Sequence, residues 1–311
     1  TIESSLSLKS FSSEKIAYVK TMDLDLENRV RMAGLKGENV ALKATMVRTN
    51  GASSLKLAVE RDGRKLAQVS GRIDAGYRQI DAQTQINAET ADIENIIKDA
   101  PDFKAHAFAE TKISAAPCSL KTKLSARLDA QNLKNFYGHA AKNPNFKFIH
   151  AHLPFLEPID DVALSSEVAA ELSDGELSIA NCDIVLSANG SRILQVKNAS
   201  AFKLDPENIS RIPDGELLEI AVPALPSKIV NAFLGEKIQL AGSDISAKFS
   251  FSKKGNEFLF GTIAPLSAPG LRLEVDGKSA VSGISPTLEL NGGYAPAKAR
   301  LSAKLAANPA A

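Results

Sequence analysis

Apolar and polar positions alternate along almost the whole chain, with the period of a strand that has one dry and one wet face. In residues 54–60, Leu55, Leu57 and Val59 share a face while Lys56 and Glu60 point away. In residues 120–129, Leu120, Leu124, Ala126 and Leu128 lie opposite Lys121, Lys123, Arg127 and Asp129. The pattern returns in residues 245–252, with Phe249 and Phe251, and in residues 271–276, with Leu271 and Leu273. One-sided strands belong to antiparallel sheets, because parallel strands buried on both faces read as continuous apolar runs. Between the strands stand Asp62-Gly63, Asp174-Gly175, Asn189-Gly190, Asp214-Gly215, Lys254-Gly255, Asp276-Gly277 and Asn291-Gly292. Asp-Gly and Asn-Gly accept the positive φ of a type I′ turn, whose twist suits a two-residue hairpin. The expectation is a meander in which strand residues exceed helical ones at least about threefold.

Three short helical phrases interrupt the meander. Thr90 can cap the first, with Ile93, Ile96 and Ile97 at helical spacing before Asp99-Ala100-Pro101. Asn132 can cap the second, with Leu133, Phe136 and Tyr137 on one face and Gly138 as its stop. The third begins at Pro226-Ser227, runs through Ile229, Val230, Phe233 and Leu234, and stops at Gly235. Residues 143–161 break the rhythm with Pro144, Pro154 and Pro158 around Phe155-Leu156, too apolar a stretch for a solvated linker. This divides the chain into an N-terminal β-repeat half (1–142), a Pro-containing connection (143–161) and a C-terminal β-repeat half (162–311).

Composition narrows the class. With 44% hydrophobic and 23% charged residues, the 311-residue chain has the balance of a folded protein and ample material for a core. Only 5% is aromatic and Trp is absent, so Leu, Ile, Val and Ala must supply the burial. A net charge of +1 gives no global attraction to nucleic acid. No apolar run reaches the roughly 18 residues of a membrane helix, and no secretory leader opens the chain. Ile2, Leu6 and Leu8 instead begin a strand pattern at once, which reads as a chain whose targeting segment or anchor has been removed.

Candidate chemistry is sparse. Cys118 and Cys182 exclude a disulfide framework and a four-cysteine zinc site, leaving two buried thiols or, in an oxidising compartment, one disulfide. His150 and His152 would share a face on a strand, a spacing that metal sites use, but no Cys accompanies them. Asp160-Asp161 and Asp99 with Asp102 fit surface turns better than acid/base pairs. The triplets at Asn189, Asn198 and Asn208 match glycosylation acceptors, a match common by chance in a Ser- and Asn-rich chain. No GxSxG, Walker A or GxGxxG motif occurs. The expectation is a protein with no catalytic site, no metal and no cofactor.

The phrase Leu128-Asp129-Ala130-Gln131-Asn132-Leu133, with a weaker copy at Ile86-Asn87-Ala88-Glu89-Thr90, leads from amphipathic strands into a short apolar helix. That combination resembles the AsmA-like family of bacterial envelope proteins, of the TamB and YhdP type, and more distantly the bridge-like lipid transfer proteins. The resemblance implies an elongated, strongly curved β-sheet whose apolar groove shields acyl chains. It also implies a periplasmic location, with a tether to the inner membrane supplied by a segment outside this chain. Two departures stand against it: no membrane helix is present, and the third helical phrase lacks the Asp-Ala-x-Asn lead.

The resulting expectation is all-β, mainly antiparallel, with a few short helices and an apolar groove. Leu55, Leu57, Val59, Leu120, Leu124, Leu128, Phe249, Phe251, Leu271 and Leu273 are the candidate lining, and the helices would plug or cap the groove. The partners would be phospholipid or another acyl-chain lipid, together with envelope proteins; the role would be lipid shielding or transfer in support of the outer membrane. The same alternation also fits a sealed core between packed sheets, as in a structural or adhesive cell-surface protein.

Overall fold

A computed structural model describes residues 2–15, 18–31, 39–76, 78–90, 102–116, 119–140, 142, 156–173, 176–204, 212–234, 238–242, 244–295 and 298–309, the first two strands by backbone alone. The first helical phrase after Thr90, the His150/His152 pair, Asp99, Cys118, Asp174-Gly175 and Asn208 lie outside the described residues.

Antiparallel strands carry nearly everything described. The N-terminal run is β1 (Ile2–Lys15), β2 (Tyr18–Arg31), β3 (Asn39–Thr49), β4 (Ala52–Arg61), β5 (Arg64–Ile73), β6 (Gln79–Glu89), β7 (Lys104–Ala116) and β8 (Ser119–Gln131). Helix α1 (Leu133–Ala140) follows, then β9 (Val162–Ser173), β10 (Glu176–Ala188), β11 (Ser191–Asn198), β12 (Phe202–Leu204) and β13 (Gly215–Leu225). Helix α2 (Ser227–Leu234) precedes β14 (Ile238–Ala241), β15 (Ile245–Lys254), β16 (Glu257–Ser267), β17 (Leu271–Val275), β18 (Lys278–Ala295) and β19 (Lys298–Pro309). All nineteen strands join one sheet. From β1 to β11 each strand pairs with the next in sequence, and the ladder continues through β13, β15, β16, β18 and β19. Short strands fill in beside it: β12 pairs β10, while β17 pairs β18 and β14 pairs β17. The sheet is open and curved, and at about 4.8 Å per strand it extends roughly 70 Å along its curve.

Turn chemistry accounts for the regular register. Asp62-Gly63, Asn189-Gly190 and Asp276-Gly277 take positive φ at both residues (48° and 83°, 50° and 75°, 50° and 73°), as a type I′ hairpin requires. Asn50-Gly51 does the same at 49° and 83°, closing β3 onto β4. Asn291-Gly292, expected as a turn, instead lies inside β18. There Gly292 sits beside the Arg300 carbonyl, and a Cβ built on Gly261 would meet Asn291 Oδ1 at 2.9 Å. Small residues at this point let strands approach closely and do not reverse the chain.

Residues 143–161 interrupt the chain without interrupting the sheet. β8 and β9 pair along their length, from Ser119–Ser173 to Ala130–Val162, so the two expected halves share one ladder. The described end of the connection is latched by Asn189: its Oδ1 accepts from Asp160 N (2.7 Å) and Asp161 N (3.2 Å), and its Nδ2 donates to the Pro158 carbonyl (3.1 Å). Asp160 and Asp161 therefore serve through their backbones.

Both described helices lie at the same rim. α1 runs through Gly138 to Ala140, two residues beyond its expected stop, because a glycine inside a helix costs only about 1 kcal/mol. Asn132 enters it with φ 60° and accepts from Phe136 N through its carbonyl, so it starts the helix by backbone. α2 has its expected bounds, and Asn231 fixes it to β14 by pairing with Leu240 N (2.7 Å) and Leu240 O (2.8 Å), as a strand residue would.

Two buried clusters cap the sheet. Ile159, Ala188, Ile193 and Ile229 form one, with Leu133, Val162, Leu186 and Leu225 against it, so both helices pack down at this rim. Phe202, Ile212 and Leu217 form the other, with Ile179, Leu218, Phe251 and Phe258 around them. Ile193 and Leu217 are the extra residues of β-bulges in β11 and β13, and each turns inward.

Candidate functional site

Directly opposed residues of an antiparallel ladder share a face. Following those pairs from strand to strand shows where the apolar positions go. Leu42 opposes Val59, Leu57 opposes Val69, Ala67 opposes Ile86, and Ile86 opposes Ala107. Ala107 then opposes Leu128, Leu128 opposes Leu164, and Leu164 opposes Leu186, which in turn opposes Leu194. Beyond the bulges, Val196 meets Ile220, Ile220 meets Phe249, Phe251 meets Phe260, Phe260 meets Gly292, and Gly292 meets Leu301. One apolar face therefore continues from β3 to β19.

All ten residues singled out from the sequence fall on it. Leu55, Leu57 and Val59 come from β4, Leu120, Leu124 and Leu128 from β8, and Phe249 and Phe251 from β15. Leu271 and Leu273 join through their partners Ile284 and Val281. Phe249 stacks on Phe260 at 5.2 Å and Phe251 on Phe258 at 5.5 Å, so this part of the face is a packed aromatic strip. Sequence reading missed Val69, Ile86 and Leu172, whose strands carry Thr, Gly and Ala between the larger residues and give a weaker alternation.

Cover over this face is uneven. From β3 to β9, Leu42, Leu55, Val69, Ile86, Leu120, Leu124 and Leu172 are 37–48% exposed. In the capped middle, Ala188, Ile193, Phe202 and Leu217 are only 1–8% exposed. No second sheet exists among the described residues to cover the first stretch. Monomeric soluble proteins rarely leave a contiguous apolar surface of this extent in water.

The opposite face is charged. Lys43 pairs with Glu60 (2.8 Å), Lys121 with Glu171 (3.4 Å), and Glu219 with both Lys248 (2.9 Å) and Lys197 (3.1 Å). Lys248, then Lys197, holds the Glu219 carboxyl below its usual range. Exposed pairs of this kind add at most about 1 kcal/mol each, so their effect is to keep that face in water. A concavity of about 500 Å³ on this face has Asp81, Lys112, Lys123 and Glu171 in its lining. Among the described residues, no group of three or more His, Cys, Asp or Glu is placed to hold a metal ion, and no helix is long and apolar enough to cross a membrane.

Among the described residues, Lys253 is the one buried charged side chain, 3% exposed, with Nζ 3.0 Å from Asp214 Oδ1. Asp214 also accepts from Gly255 N at 2.9 Å. That amide, followed by Lys253, lowers the Asp214 pKa from 3.8. A carboxyl depressed in the folded state stabilises above its unfolded value, and that contribution disappears as pH falls through the folded value. Melting temperature should therefore decline below about pH 3.8, and Asp214→Asn should flatten part of that decline. An identical acid slope in wild type and variant would refute the assignment.

Cys182, opposite Val168 on the apolar face, is a free thiol. Burial, and secondarily Asp183, pushes its pKa up, so it should react slowly with maleimide. That rate is read as the difference in labelling between wild type and Cys182→Ser, and a Cys182-dependent rate equal to that of a small exposed thiol would refute the assignment.

Asn198 is absorbed into structure, its amide accepting from Cys182 N and donating to Ser200 O. No family model, curated protein or solved structure matches the chain, and the functional reading accordingly rests on this face and its register.

Proposed function

We propose that this protein shields or carries acyl-chain lipid along the apolar face of its open sheet. The observation that supports this most is the uncovered stretch from β3 to β9, where large aliphatic side chains at 37–48% exposure share one face with the smaller Gly, Ala and Thr residues that oppose them across the ladder. Water against such a face is costly, and each CH₂ that replaces it contributes about 0.8 kcal/mol. An acyl chain is about half the 30 Å hydrocarbon core of a bilayer, so a face of roughly 70 Å has room for several. The mechanism is passive: side chains replace solvent, the charged reverse face stays hydrated, and no bond is made or broken.

The sequence resemblance adds the setting to this proposal. Phospholipid is the favoured cargo, the periplasm the compartment, and support of the outer membrane, alongside other envelope proteins, the role. The two sealed clusters favour a second reading, in which the protein is structural or adhesive and its apolar residues serve only as core.

Organic-solvent extraction of the purified protein, followed by mass spectrometry, separates the two readings. The lipid reading expects stoichiometric acyl-chain lipid, and uptake of a fluorescent fatty acid after delipidation. Neither lipid in the extract nor uptake afterwards would leave the structural reading in possession.

A further inference from the structure

We infer that Lys253 is a headgroup subsite: its ammonium takes the carboxylate of a fatty acid whose tail lies on the aromatic strip of β15 and β16. The inference rests on the lipid reading above and names a further cargo for the same face. Register puts the charge there. Phe249, Phe251 and Lys253 alternate along β15, and the ladder to β16 has no shift from Phe249 to Lys254. Lys253 therefore shares a face with both phenylalanines. Its cross-strand partner Phe258 stacks on Phe251 at 5.5 Å. Phe249, Phe251, Phe258 and Phe260 are all half-buried, so hydrocarbon surface leads up to the ammonium. Along the strand, Phe249 and Lys253 are about 13 Å apart, comparable with the roughly 15 Å of an acyl chain.

The ammonium is short of acceptors. Each of its three N–H groups can donate, yet among the described residues Nζ has one acceptor, Asp214 Oδ1 at 3.0 Å. The two partners also differ in cover: the Lys253 side chain is 2% exposed and that of Asp214 59%. Burial makes the shortage costly for the lysine alone. Asp214 has a hold of its own, since the Gly255 amide donates to both of its oxygens (2.9 and 3.0 Å). With that amide and solvent around it, Asp214 can release Lys253 without losing its own hydrogen bonds. A fatty acid offers the lysine the same group, a carboxylate, and holds it in place with a tail that Asp214 lacks. A single ammonium matches a single negative charge, and the aromatic strip favours an amphiphile over a small anion.

Titration calorimetry of the full chain at neutral pH, with dodecanoate and with uncharged dodecanol, tests this. Wild type should bind dodecanoate about tenfold more tightly than dodecanol at one site per chain, the contribution of one charge-assisted hydrogen bond. Lys253→Met should fold, because it leaves behind only an exposed carboxylate, and should bind the two amphiphiles alike. Asp214→Asn keeps an acceptor for the Gly255 amide and removes the competing charge, so its preference for dodecanoate should exceed that of wild type. Equal affinities in wild type overturn the inference. So does a preference that Lys253→Met retains, or one that Asp214→Asn fails to widen, and the lipid reading survives each of these results. Binding of neither amphiphile removes the lipid reading, and this inference with it.

Discussion

Leu124→Glu is expected to fold and melt within a few degrees of wild type while weakening acyl-chain binding across β8 by about a hundredfold. Leu124 stands in the uncovered stretch, 37% exposed, between Thr111 and Val168. A carboxylate there keeps its water, so the change behaves as a surface substitution, typically within about 0.5 kcal/mol. An acyl chain crossing β8 would have to strip that water. A charge among hydrocarbon costs roughly 3 kcal/mol, and each 1.4 kcal/mol is tenfold in affinity. Melting temperature and fluorescent fatty acid binding, measured together on wild type and variant, decide the matter. A collapse in melting temperature would show that Leu124 lies in sealed core, and unchanged binding would show that lipid does not cross β8.

Leu217→Ala should have the opposite profile: a loss of about 3 kcal/mol, seen as a fall of roughly 5–10 °C in melting temperature, with lipid affinity at β8 little changed. Leu217 is 2% exposed against Phe202 and Ile212, so truncation leaves a cavity that a close-packed cluster cannot fill. Because strands touch mainly their immediate neighbours, the damage should stay local. Hydrogen exchange should quicken in β10 to β16 and hardly at all in β3 to β7. Uniform loss of protection over the whole sheet would contradict a second cluster with its own local stability.

The contrast between these residues also marks what the sequence could and could not convey. Leu55, Leu57, Leu124 and Leu128 are legible because period-2 alternation places them on one face whatever their neighbours do. Leu217 and Ile193 are not, because each occupies a bulge, where the alternation slips by one residue and an inward position appears out of phase. Asn50-Gly51 carried the same signal as Asp62-Gly63, whereas Asn291-Gly292 carried it falsely. The dipeptide permits a turn, but the partners Gly261 and Ser302 hold those residues in mid-strand. The uncovered state of the face lay furthest from view, since alternation is the same whether the dry side meets another sheet or nothing.

The order of strands along the ladder carries a consequence for how such a molecule can vary. Position along the sheet follows position along the chain, through β1 to β11 and on to β19 with only short strands set aside. A path built this way can be lengthened or shortened one hairpin at a time, each adding about 10 Å, without redesign of any distant contact. The span of the apolar route is thus the property most easily altered, while its chemistry is written afresh in every strand.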